Sequence, residues 1–246
     1  MNMSSPSQSD VVPSVPYDHS ATYRDRRLRN LPHRLRLRSL ISLLERVDFT
    51  GKSYIDVGCS NGYITSLVTR RFQPARSCGL DHNLQNLERA RMLHPGISFR
   101  LANISQPFED EVPSADIVTC FETLEHVGNL EVALNNLLRI TRIDGTLVLS
   151  VPIEIGARGM LKFAAKLAWG YRLAELPQAP QLFQHYVHSL ATGKRISVFR
   201  DARPGWGTHF GFDYRDLDDL LSIRRLPLAA WNDFTTRFYR ITHKMT

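Results

Sequence analysis

Apolar positions along the chain follow two periods in alternation. Tyr54, Ile55 and Val57 form a short run that stops at Gly58, and Ile64, Leu67 and Val68 then recur at helical spacing. The pattern predicts a strand, a glycine turn over Gly58 to Gly62 and a helix from about Tyr63. The same unit recurs downstream. Ser77 to Leu80 reads as a strand ending at Asp81, followed by a helix from Leu84 to Leu93 that His94-Pro95-Gly96 stops. Ile97 to Leu101 and Ala115 to Phe121 read as strands three and four, the latter after a turn at Pro113-Ser114. A helix from about Leu130 to Ile140 leads through Asp144-Gly145 into a fifth strand, Thr146 to Val151. Asp213 is placed to cap a helix through Leu217, Leu220 and Leu221, with Asp216 in its first turn. Two closing strands, Ile223 to Ala230 and Phe234 to Thr242, are close enough to pair as an antiparallel hairpin. Strands alternating with helices argue for an α/β class and a doubly wound, mostly parallel sheet, here of seven strands. Such sheets bind ligands beyond the carboxyl ends of their strands, where the strand order reverses.

The remaining segments fit around this frame. Residues 1–20 are rich in Ser and Pro and are expected to be a disordered tail. Residues 21–246 are expected to form a single domain, with a lid insertion at about 152–206. The net charge of +7 is concentrated: Arg24 to Arg38 holds seven arginines against one acid, Asp25. That segment runs into Leu40, Ile41, Leu43 and Leu44, predicting a helix with a basic face, broken at Pro32. One reading is a solvated helix covering a sheet edge. The other is contact with phosphate, as nucleic acid or anionic lipid headgroups. No aromatic residue interleaves with the arginines, which favours the first.

Composition narrows the class. A hydrophobic fraction of 43% fits a globular protein. No apolar run reaches the roughly 18 residues of a membrane span, and no secretory signal opens the chain, so the expected location is cytoplasmic. Cys59, Cys78 and Cys120 are dispersed and odd in number, as expected for buried thiols in a reducing compartment.

The chemistry centres on the first turn. Gly58-Cys59-Ser60-Asn61-Gly62 fits a Gly-x-Ser-x-Gly nucleophile elbow, but it follows the first strand of the sheet and no His-Gly-Gly oxyanion segment accompanies it. A dinucleotide fingerprint needs three glycines, and Ser60 and Tyr63 occupy two of those places. Asp56 and Asp81 fit better. Asp81, at the end of the second strand, stands where a carboxylate grips ribose hydroxyls. Asp56 places negative charge beside the turn, suited to an ammonium or sulfonium. Ribose plus a positively charged tail describes S-adenosylmethionine.

Ile55 to Gly62, Gly79-Leu80-Asp81 and Ala115 to Val127 resemble the successive motifs of class I S-adenosylmethionine-dependent methyltransferases, and the terminal hairpin is similar to that family's sixth and seventh strands. The resemblance spans roughly residues 35–242 and implies a Rossmann-like seven-stranded fold. It also implies that Asp56, Gly58, Cys59 and Gly62 line the methionine end of the cofactor, Asp81 the ribose and His82 the adenine. Asn103 and Ile104 would stand near the adenine amine, and Phe121 beneath the cofactor. Met160 to Tyr171 would form part of a lid over the acceptor.

Glu122, Glu125 and His126 would share one face of a helical turn, forming a half-site for a divalent metal such as Mg, with His209 as a fourth ligand from the loop Pro204 to Gly211. The Glu-x-x-Glu-His pattern with a distant His resembles the ubiquinone-pathway O-methyltransferases and the small-RNA 3′-terminal 2′-O-methyltransferases. Without metal, His126 would act as general base or cap a helix. His126, Glu122 and His209 are thus the expected catalytic set, acting on an oxygen acceptor. The resemblance implies a hydroxylated small-molecule or lipid-linked acceptor, with membrane-surface contact through residues 160–173 or 24–38. Two alternatives stand beside it: an RNA 2′-O-methyltransferase that uses the Arg-rich segment, and a non-catalytic S-adenosylmethionine-binding module.

Overall fold

Seven strands pair into one sheet in the order β3-β2-β1-β4-β5-β7-β6. The computed structural model describes residues 23, 27, 30–108, 112–168, 180–200, 211–233 and 235–244, without the side chains of 165–168 and 180. The central strand β1 (Ser53–Val57) lies between β2 (Arg76–Asp81) and β4 (Ala115–Phe121), parallel to both. Strands paired on both sides and covered on both faces must be apolar nearly throughout, which accounts for the run Tyr54, Ile55, Val57. β3 (Ser98–Leu101) extends the parallel sheet beyond β2, and β5 (Thr141–Pro152) extends it beyond β4. The carboxyl ends of β1, β2, β4 and β5 therefore share one edge, and strand order reverses between β1 and β4. The closing hairpin is also present. β7 (Thr236–Thr242) runs antiparallel to β5, and β6 (Leu228–Asn232) antiparallel to β7. The register pairs Pro152 with Thr236, so β7 starts on the edge where β5 ends.

Successive strand residues point to opposite faces, and each face carries its own core. Tyr54, Ile117, Phe121, Val148 and Phe238 face Leu40, Leu43 and Leu44 of α1 (Leu31–Leu44) and Val68 of α2 (Tyr63–Phe72). Ile55, Val57, Val118, Leu149 and Tyr239 face Leu134 and Leu137 of α4 (Leu130–Ile140) and Leu217 and Leu221 of α7 (Tyr214–Ile223). α3 (Leu84–Leu93) packs Leu87 and Ala90 on Phe99 and Cys59. The cysteines are free thiols, with Cys59 and Cys120 buried.

Several expectations change. Pro32 opens α1 instead of breaking it, because the first helical turn has no use for the missing N–H. α1 covers a sheet face, not an edge. Ile223 ends α7, and the outer hairpin strand begins at Leu228, after Pro227. β6 is exposed along its whole length, so it lacks the alternation that marks a half-buried strand. The segment after β5 is more regular than expected. α5 (Gly156–Ala168) and α6 (Pro180–Thr192) pack around Ile153, Ile155, Tyr186, Leu190 and Ile196 at the end of β5. The expected tail, residues 1–20, lies outside the described residues.

Candidate active site

The turn between β1 and α2 is built from left-handed backbone. Gly58, Ser60 and Gly62 all have positive φ (+77°, +49° and +74°). At Gly58 an added Cβ would lie 2.2 Å from Thr123 Oγ1, so glycine is required by conformation and by space. The backbone N–H groups of Gly58 and Cys59 donate to the Leu80 carbonyl, which ties the turn to β2. Asp81 completes that tie. Its carboxylate accepts from the Ser60 N–H (2.8 Å) and the Asn83 N–H (2.9 Å). It is nearly buried, and each oxygen keeps a second lone pair for a ligand hydroxyl.

Asp56 lies inside the turn, not at its mouth. Its carboxylate accepts from Thr65 Oγ1 (2.6 Å) and Thr119 Oγ1 (2.9 Å) and is 3% exposed. Burial outweighs these hydrogen bonds and pushes its pKa up to about 6. A cavity of about 100 Å³ opens onto it, lined by Gly58, Cys59, Phe121 and Glu122 among others. Ser60 also lines this cavity, yet its buried Oγ has no hydrogen-bond partner among the described residues, so no base activates it and the nucleophile-elbow reading falls.

Tyr23 roofs the cavity, a role with no periodic signal in the sequence. Its ring stacks on Tyr63 at 5.5 Å and 9°, and both rings line the cavity. Burial first, offset in part by Arg36, raises the Tyr23 phenol to about 12. An aromatic residue thus does accompany the basic segment, one position before its first arginine.

On the other side of the turn, His82 has Nδ1 3.5 Å from Asp81 Oδ1. Burial lowers its pKa, Asp81 draws it back up, and the neighbouring His126 lowers it again. Asn103 Oδ1 accepts from the Ser105 N–H, so its side chain shapes its own loop. Ile104 is buried in the core, and its carbonyl accepts from Asn136 Nδ2.

The expected metal half-site is not assembled. Glu122 has φ +48°, off the helical path, and only Leu124–His126 forms a 3₁₀ turn. The i, i+3, i+4 geometry therefore does not apply. Glu122 pairs with Arg36 Nη1 at 2.6 Å and accepts weakly from Ser150 Oγ at 3.4 Å. Glu125 is fully buried, and burial, then the charge of Glu122, holds its pKa well above the usual range. His126 instead lies within electrostatic reach of His82. Among the described residues no group of three or more His, Cys, Asp or Glu is placed to hold a metal. His209 lies outside the described residues.

The side chains next to Glu122 come from distant segments. Arg36 Nε also donates to Thr236 Oγ1 (2.9 Å). Lys162 of α5 donates to Glu154 Oε1 and to the Thr235 carbonyl, both at 3.2 Å. Lys162 thus turns toward the sheet edge. Within the expected basic face, Arg36 turns inward: its side chain is 14% exposed and pairs with Glu122. No helix among the described residues is long and apolar enough to cross a membrane.

With this geometry in place, the chain can be compared with known proteins. Residues 55–149 match a family model described as a methyltransferase domain. The chain is 39% identical over 87 residues to the ubiquinone biosynthesis O-methyltransferase of Hahella chejuensis, covering 34% of this chain and 36% of that protein. It is 29% identical over 143 residues to the trans-aconitate 2-methyltransferase of Acidovorax ebreus, covering 56% and 55%. The chain thus spans about half or less of the length of these curated relatives. Among solved structures, the magnesium protoporphyrin IX methyltransferase of Synechocystis with bound SAH shares the fold. Its TM-score is 0.60 at 15% identity, with 92% of each chain covered.

Proposed function

From the premise that residues 55–149 belong to the methyltransferase domain family, we propose that this protein transfers a methyl group from S-adenosylmethionine to the hydroxyl of a small-molecule or lipid-linked acceptor. The observation that carries the reading is the cavity at the strand-order reversal, where the buried carboxylate of Asp56 meets the glycine turn and Phe121. Asp56 would hold the cationic methionine end, Gly58, Cys59 and Gly62 would let it approach the main chain, and Asp81 would accept from the ribose hydroxyls. His82, with Asn103 and Ile104 beyond it, would flank the adenine. S-adenosylmethionine supplies the methyl group on a sulfonium, ready for in-line displacement. The S–CH₃ bond breaks as the O–CH₃ bond forms, leaving a neutral thioether.

The protein's share is placement and one proton. Of the expected acid–base residues, Glu122 lines the cavity, so it is assigned the hydrogen bond that orients the acceptor hydroxyl. The proton goes to His126. α5 and α6 form the described part of the lid, seated on the end of β5 and held by Lys162. The relatives' own acceptors differ from one another, as their names state, and oxygen is favoured here by the absence of a Pro-Pro-aromatic run after Phe121.

The test is transfer of a tritiated methyl group from S-adenosylmethionine into lysate fractions (small molecule, lipid, RNA), with and without EDTA. Labelled product in the small-molecule or lipid fraction, stable to reagents that cleave methyl esters, is expected. Label confined to RNA, or in no fraction, would overturn the reading.

A further inference from the structure

The 3₁₀ turn that carries Glu125 and His126 has its carbonyls in a dry place. Leu124 and Glu125 are fully buried and Val127 nearly so. A helical turn leaves its last carbonyls without partners from its own backbone, and buried carbonyls need partners from elsewhere. The Leu124 carbonyl accepts from the Val127 N–H at 3.4 Å, and one side chain serves those that follow. Arg200 Nη2 donates to the Val127 carbonyl at 2.5 Å and lies 3.3 Å from the Glu125 carbonyl and 3.5 Å from that of Leu124. Its guanidinium also sits over the Phe212 ring at 5.0 Å.

Arg200 reaches the turn from far along the chain. It directly follows the 3₁₀ turn Ser197–Phe199, whose Phe199 ring packs edge-on against Tyr186 of α6 at 5.5 Å. Ile196, four residues earlier, is buried in the core shared with α5 and α6. One guanidinium therefore joins the helices after β5 to the turn after β4. Arg200 touches neither the cavity nor an acid–base side chain in the hydrogen bonds described above; its contacts are main-chain carbonyls and a ring.

We propose that Arg200 is a positioning residue, whose guanidinium fixes the Leu124–Val127 turn and thereby couples the place of His126 to the α5–α6 helices. The proposal rests on the methyl-transfer reading only for the use made of His126, and the measurements below do not require turnover. A side chain with no donors at position 200 takes the guanidinium away from the Glu125 and Val127 carbonyls. A side chain with a charged donor restores at least one of them.

The experiment compares wild type, Arg200→Met, Arg200→Leu and Arg200→Lys. Ring signals from ¹³C-labelled histidine, with His126 assigned by a His126→Gln variant, report its surroundings. Amide hydrogen exchange at His126 and Val127, whose N–H groups bond Thr123 and Leu124, reports the turn. R200M should shift the His126 ring signals and speed exchange at both amides by at least about tenfold. Exchange in β1 and β4 should stay within about threefold, and R200K should recover most of the difference. Affinity for S-adenosylhomocysteine, by calorimetry, should stay within about fivefold, since Asp56 and Asp81 are untouched. Should R200M not fold, Arg200→Leu, which also has no donor, takes its place with the same readouts. Unchanged His126 signals, exchange that rises equally across the sheet, or no recovery in R200K would each overturn the proposal. Failure to bind S-adenosylhomocysteine in wild type would instead count against the methyl-transfer reading alone.

Discussion

The two sides of the cavity are assembled in different ways. The Asp56–Asp81 side is made mostly from one stretch of chain. Its turn, its first carboxylate and Thr65, one of the two threonines on that carboxylate, lie within nine residues of each other, and the neighbouring strands β2 and β4 add Asp81 and Thr119 by parallel pairing. The Glu122 side is made from pieces far apart in sequence. Arg36, which pairs with Glu122, reaches Thr236 across 200 positions, and Lys162 reaches the adjoining Thr235 across 73. Under the proposed function, local assembly suits the cofactor side, and long-range assembly would let the acceptor side change by exchanging single side chains on elements that pack regardless.

The largest effect that could break this contrast is expected at Asp81. Asp81→Ala removes the acceptor of two backbone N–H groups and, under the proposed function, the ribose contact. Affinity for S-adenosylhomocysteine should fall at least about 100-fold, or roughly 2.7 kcal/mol by calorimetry. A fall of less than about threefold would mean that the local side does not bind the cofactor.

Next is the pH dependence set by Asp56. Its folded pKa, about 6, stands above the reference value of 3.8, so between those values the folded state holds the extra proton. Stability is then greatest below about pH 4 and falls as pH rises to about 6, by up to roughly 3 kcal/mol. Urea melts across that range should show a shallower slope in Asp56→Asn than in wild type, the remainder coming from groups such as Glu125 that are also raised. A cationic ligand should narrow the difference by stabilising the carboxylate. Equal slopes in both proteins would remove Asp56 as the source.

The smallest of the three concerns Arg36. Arg36→Met leaves Glu122 without its ion pair at a mostly buried position, which should destabilise the fold by about 2 kcal/mol. If the two sides are separate, affinity for S-adenosylhomocysteine should change by less than about threefold. A tenfold loss would show instead that they act as one unit.

The sequence made one side of the site readable and left the other largely hidden, for a physical reason. Asp56, Gly58, Gly62 and Asp81 follow strand ends and turns, so periodicity and turn chemistry locate them. Asp213 was legible in the same way, and its carboxylate does accept from the Arg215 N–H at the start of α7. Arg36 and Lys162 carry no such signal. Each sits on an amphipathic helix among other cations, and which cation turns inward depends on the strand that the helix happens to cover. Tyr23 and Arg200 lie outside any periodic run. The Glu122–His126 segment misled because its spacing suits an α-helical face, while one left-handed residue, Glu122, removes that geometry.

What the amino-acid order determined alone was the alternation of strands and helices, the glycine turn and the carboxylates at its ends, because these depend on contacts within a few residues. Tertiary structure decided that Pro32 starts a helix, that Glu122 meets Arg36, and that the turn bearing His126 leans on Arg200. Those outcomes depend on which distant groups share a buried space, where an ion pair or a matched carbonyl is worth most and an unmatched one is most costly.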